Sequence, residues 1–101
     1  MIAHYRHCTS LSLWYIQEEA ERWKKRGNNL SKEPNLVDQA IACYSLALKF
    51  TPTIERDLKA TIFSNRSLMY NKQGKADQAL RDAQNSVENN PRWPKARMLI
   101  F

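Results

Sequence analysis

Residues 60–91, ATIFSNRSLMYNKQGKADQALRDAQNSVENNP, decide the fold. Ile62, Phe63, Leu68, Met69 and Tyr70 recur at helical spacing up to Gly74, which stands where a helix ends in a left-handed residue. A second helical pattern runs from about Ala76 to Glu88, and Asn89, Asn90 and Pro91 end it. The unit is helix, short break, helix, proline.

Upstream, the same order recurs in residues 20–30, AERWKKRGNNL, and 38–52, DQAIACYSLALKFTP. Aligning Ala20 with Ala60 superposes Trp23 on Phe63, Gly27 on Ser67 and Leu30 on Tyr70. One extra residue in the first turn then sets Ala40 on Ala79, Tyr44 on Ala83, Ala47 on Ser86 and Pro52 on Pro91. Two antiparallel helices cross closely only where small side chains such as Gly27, Ala40, Ser67 and Ala79 let the backbones approach, and bulky neighbours fill the flanking gaps. A repeat of this kind marks stacked helical hairpins.

Working outward, residues 1–11 show no usable period, and Ser10 or Ser12 offers an N-cap for a first helix from about Leu13 to Ser31. Pro34 forces the chain out of helix, after which Asn35 offers a cap with Asp38 three residues on. Pro52 closes the second helix and Thr53 is placed to cap the third. Pro94 suits the first turn of a fifth helix at the end of the sequence.

Composition agrees with an all-α chain. It has 101 residues, a hydrophobic fraction of 43%, two glycines and four prolines, which fits one domain with a modest core and disfavours a turn-rich β fold. The net charge of +6 attracts acidic partners at long range without choosing among them. Arg22, Lys24, Lys25 and Arg26 form the one short basic cluster, and a run of this kind reads first as a solvated helix face. Cys8 and Cys43 make no disulfide framework, so a reducing, cytoplasmic location is expected. The apolar run 13–16 is far too short to span a bilayer, and the acid-free stretch 1–17 carries only Arg6 as a strong cation, a weak case for a mitochondrial transit peptide.

Chemistry finds little support. His4, His7 and Cys8 lack a fourth zinc ligand at a recognisable spacing, and Cys43 falls on the apolar side of the second helix as a small core residue. No glycine-rich phosphate loop or carboxylate pair appears, so no cofactor, metal or catalytic residue is expected. Nucleic acid is the third choice of partner, because Trp23, Tyr44, Phe63 and Tyr70 are claimed by the repeat core and few rings remain to stack on bases.

The paired segments resemble the tetratricopeptide repeat: a large residue, a Gly or Ala, an aromatic, a small Ala, an aromatic, another Ala and a closing Pro. The resemblance implies helical hairpins stacked as a short right-handed α-solenoid over residues 12–101. Repeat one would span about 20–53, repeat two about 60–93, and PKARMLIF within 94–101 would open a third. Arg26 and Arg66 depart from the pattern where Leu is common, as does Ala83 where an aromatic is common. About five added residues precede Ala60.

The closer likeness is to the carboxylate-clamp subgroup of co-chaperones, which bind acidic C-terminal tails of the seventy- and ninety-kilodalton heat-shock chaperones. Lys24 and Asn28 in KKRGN, Asn65 in SNRS and Lys95 in PKA stand at four of its five places. Residues four apart lie one above the other on a helix, so Lys24 and Asn28 share a face. Lysine brings a point charge and asparagine neutral donors, and such charge-assisted bonds are worth roughly 1.5 to 3 kcal/mol each when shielded. The fifth place falls on Leu99, and Arg97, about 200° round the helix from it, faces away.

The resemblance thus implies a non-catalytic module for protein partners. A scaffold for another partner and a non-catalytic part of a larger enzyme are the alternatives. Because solenoid repeats bury their faces only against neighbours, the apolar tip Met98, Leu99, Ile100 and Phe101 is expected to make the isolated chain marginally stable and prone to self-association.

Overall fold

The computed structural model describes residues 2–50 and 55–90, with side chains from Trp14 onward in the first helix. Its elements are α1 (Ile2–Leu30), a 3₁₀ turn (Pro34–Leu36), α2 (Val37–Leu48), α3 (Arg56–Lys72) and α4 (Ala76–Asn89). Each helix packs on the next, and α1 makes a smaller contact with α3. The result is an all-α solenoid of two hairpins, α1/α2 and α3/α4, joined through α2 and α3.

The internal repeat is visible in burial. Ala20 and Ala60, Gly27 and Ser67, Ala40 and Ala79, Tyr44 and Ala83, and Ala47 and Ser86 are buried pair by pair, while Trp23 with Phe63 and Leu30 with Tyr70 are half-buried. The small residues sit where helices cross, as close approach requires. In the second hairpin the two serines also bond across the crossing: Ser67 Oγ donates to the Ala79 carbonyl and Ser86 Oγ to the Ala60 carbonyl, both at 2.7 Å. In the first hairpin Gly27 is needed instead, because a Cβ there would lie 2.7 Å from the Tyr44 ring. Val37, Leu58, Ile62 and Met69 complete the apolar seam between hairpins.

Arg66, an anomaly for an apolar position, is explained by its surroundings. Its guanidinium takes both oxygens of buried Asp82 on α4, donates to Ser45 Oγ on α2 at 3.1 Å, and lies 5.7 Å from the Phe63 ring and 5.6 Å from the Tyr70 ring. Burial by itself lowers the pKa of this group, but the hydrogen bond and charge of Asp82, helped by Tyr70, outweigh it and raise the pKa above its ordinary value. One residue therefore ties three helices together.

Several expected boundaries shift. Residues 2–11, expected to be irregular, form the first turns of α1, and Ser10 and Ser12 lie inside that helix rather than capping it. Asn35 sits in the 3₁₀ turn, and α2 begins at Val37 with Leu36 in the cap position and no side-chain cap bond. Proline at the start of that turn lets the chain coil tightly before the α-helix opens, which displaces the start by one residue. The third helix begins at Arg56, with Glu55 in the cap position.

The end of α3 agrees with its sequence. Gly74 has φ 75°, and the Lys75 amide reaches the Tyr70 carbonyl at 2.9 Å while the Gly74 amide reaches Asn71 at 3.0 Å. Those two bonds form the left-handed termination that satisfies the last carbonyls of a helix. Pro52, Thr53, Pro91, Pro94 and the apolar tip 98–101 lie outside the described residues, as do the side chains of His4, His7 and Cys8.

Candidate functional site

The last turns of α1 and the middle of α3 face each other across α2. Asn28, on α1, and Asn65, on α3, meet there: Asn65 Nδ2 donates to Asn28 Oδ1 at 2.9 Å. Tyr44 Oη, from α2, donates to the same oxygen at 2.5 Å. These residues line a hollow of about 390 Å³ together with Ser31, Lys32, Thr61, Leu68 and Met69. Three helices thus contribute to one concave polar site with an apolar wall.

Asn28 and Asn65, separated by 37 positions in sequence, are brought together. Lys24 is one turn before Asn28 on the same helix, but its ammonium pairs with Glu21 at 3.3 Å and takes no part in the amide cluster. Lys95 lies outside the described residues, with Arg97 and Leu99.

Lys32, Ser31, Tyr44 and Thr61 were not singled out for the site by sequence. A signal for one of them existed: Thr61 and Asn65 are spaced by four, which puts them in line along one face of α3, whereas Lys32 keeps that spacing from Asn28 but lies in the turn after α1. Tyr44 carried no such signal, because its place in the repeat reads as core. It is both: the residue is 1% exposed, yet it lines the hollow and its hydroxyl bonds Asn28 there.

The hollow is basic around its rim. Lys32 lines it, and Lys72 Nζ reaches the Ser31 carbonyl at 3.4 Å. Ser31 Oγ donates to the Asn28 carbonyl at 2.7 Å, fixing the chain where α1 ends. Burial raises the Tyr44 pKa above its ordinary value, the Ser31 hydroxyl opposes that, and the neighbouring Cys43 thiol adds to it. The tyrosine is a neutral donor at physiological pH. Positive rim charges and neutral donors suit an anionic ligand with oxygen acceptors.

In the basic cluster of α1, Lys25 and Arg26 are exposed, Arg22 pairs with Glu19 at 3.0 Å, and Arg26 lies 5.7 Å from the Trp23 ring, while Lys24 is half-buried. Among the described residues no group of His, Cys, Asp and Glu could hold a metal ion. No helix among them is long and apolar enough to cross a membrane.

No family model matches the chain. It is similar to the probable serine/threonine-protein kinase BSK3 of Oryza sativa subsp. japonica, 32% identical over 88 residues, or 86% of this chain and 17% of the kinase. It is also similar to the mitochondrial import receptor subunit TOM70 of Rattus norvegicus and of Homo sapiens, 30% identical over 79 residues in each case, or 78% of this chain and 13% of the receptor subunit. The chain therefore spans less than a fifth of the length of these relatives. All three likenesses cover most of the present sequence.

Proposed function

We propose that this chain is a non-catalytic tetratricopeptide-type module that binds the acidic C-terminal tail of heat-shock chaperones of the seventy- and ninety-kilodalton classes. The observation that carries the reading is the meeting of Asn28 and Asn65 in one hollow with a basic rim. In this reading both amides donate to the terminal carboxylates, Lys24 releases Glu21 to approach the ligand, and Lys95 closes the far side. The exchange is inexpensive, since a pair three residues apart on a helix, such as Lys24 with Glu21, contributes only about 0.2 to 0.5 kcal/mol. A cytoplasmic, reducing setting goes with it, and the likeness to an import receptor subunit supports a binding role over a chemical one.

The test is titration of the chain with a peptide ending in Glu-Glu-Val-Asp and with the same peptide amidated at its C-terminus. Removing the terminal charge should weaken binding by about tenfold or more, the worth of one charge-assisted hydrogen bond. Equal affinities overturn the reading.

The kinase likeness favours a second reading, in which the same module is the non-catalytic part of a larger enzyme. Its test is the coding sequence on either side: a kinase domain in frame supports it, and flanks without a catalytic domain refute it.

A further inference from the structure

Asn28 can serve an anion only if its nitrogen, not its oxygen, is turned to the ligand. Two neighbours decide which. Asn65 Nδ2 and Tyr44 Oη both point at a single atom of Asn28, at 2.9 and 2.5 Å. Tyr44 Oη and Asn65 Nδ2 are both placed as donors, and the atom of Asn28 that receives them is its carbonyl oxygen. With that oxygen occupied twice, what Asn28 has left to offer is Nδ2, which carries two hydrogens.

We propose that Tyr44 is a positioning residue that, with Asn65, pins the Asn28 oxygen inward and so turns its Nδ2 to the hollow, making the site selective for acceptor groups such as a carboxylate. This rests on the function proposed above.

The packing is arranged for that purpose. The Tyr44 ring lies against Gly27, whose missing Cβ leaves the room through which the ring passes to reach Asn28 on the next position of α1. Because the ring is buried, its hydroxyl has little freedom to leave the amide. The second hairpin lacks the device as a set: the repeat counterparts of Gly27, Asn28 and Tyr44 are Ser67, Leu68 and Ala83. Glycine, amide and phenol occur together and are replaced together.

Two substitutions in the full chain test the assignment. Tyr44→Phe keeps the ring and removes the hydroxyl, so affinity for the free-acid peptide should fall by about tenfold while the amidated peptide is affected much less. Asn28→Asp offers an oxygen where the two donors point and another where the nitrogen was. It should melt at or above the wild-type temperature and lose free-acid binding.

A Tyr44→Phe chain that keeps the wild-type ratio of free-acid to amide affinity overturns the positioning role. A sharply lower melting temperature for Asn28→Asp overturns the orientation, since it means that nitrogen faced Tyr44 and Asn65. If the wild-type chain binds both peptides equally, the functional reading fails, and the Asn28→Asp melt still judges the orientation by itself.

Discussion

The guanidinium of Arg66 grips both carboxylate oxygens of Asp82 across the crossing of α3 and α4, Nε to Oδ2 at 2.7 Å and Nη2 to Oδ1 at 2.8 Å. Asp82 is 2% exposed, so its carboxylate cannot be satisfied by water if Arg66 is lost, whereas the Arg66 side chain, 18% exposed, keeps some access to solvent. Arg66→Ala should therefore destabilise the chain by about 3 to 5 kcal/mol, the cost of stranding a buried charge. Replacing both residues with apolar ones, as in Arg66→Met with Asp82→Leu, should restore most of the loss. Urea unfolding followed by circular dichroism measures both, and a double variant no better than the single one contradicts the argument.

Three buried serines on α3 and α4 should respond differently to loss of the hydroxyl. Ser67 and Ser86 each bond a carbonyl of the neighbouring helix, so Ser67→Ala and Ser86→Ala should each cost about 0.5 to 1.5 kcal/mol. Ser64 Oγ is buried without a partner, so Ser64→Ala removes an unmet desolvation cost and should leave stability unchanged or raised. The order of unfolding midpoints checks this, with Ser64→Ala highest.

The two glycines should fail for unlike reasons. Gly27→Ala gains about 1 kcal/mol of helix propensity but drives a methyl into the buried Tyr44 ring, and overpacking of this kind costs about 1 to 3 kcal/mol, so a net loss is expected. Gly74→Ala meets no atom within 4 Å, and its loss of about 1 to 2 kcal/mol comes from the left-handed backbone alone. Pairing each with Tyr44→Leu separates them: the loss at Gly27 should shrink in that background and the loss at Gly74 should not.

The repeat made most of the fold legible, because close crossings demand small residues and Ala20, Gly27, Ala40, Ala60, Ser67 and Ala79 supply them in order. Asn28 and Asn65 were singled out by the resemblance to the carboxylate-clamp pattern and not by the repeat register, which sets Asn28 on Leu68. What escaped was of another kind. Arg66 looked like a departure from an apolar pattern, since its partner Asp82 lies on another helix and periodicity within one helix cannot find it. Tyr44 read as core, and the use of its hydroxyl depends on the gap at Gly27, a relation between two helices. Residues 2–11 lack an amphipathic period and are helical nonetheless, in line with the continuation of a helix costing less than starting one.

The raised pKa of Tyr44 ties stability to alkaline pH. Burial holds the proton on the phenol more tightly in the folded chain than in the unfolded one, where tyrosine titrates near its ordinary 10.0. Below that value both states are protonated and the contribution is fully present. As the pH rises past it, the unfolded chain loses the proton first, so stability falls through the window above 10.0 up to the folded-state pKa. The same ionisation would set a negative charge against Asn28 Oδ1 and undo the bond that orients the amide. Urea midpoints taken from pH 8 to about 11 should decline more steeply for the wild type than for Tyr44→Phe, which has no proton to lose at this site. Parallel curves would mean that the phenol is not held in its neutral form by the fold.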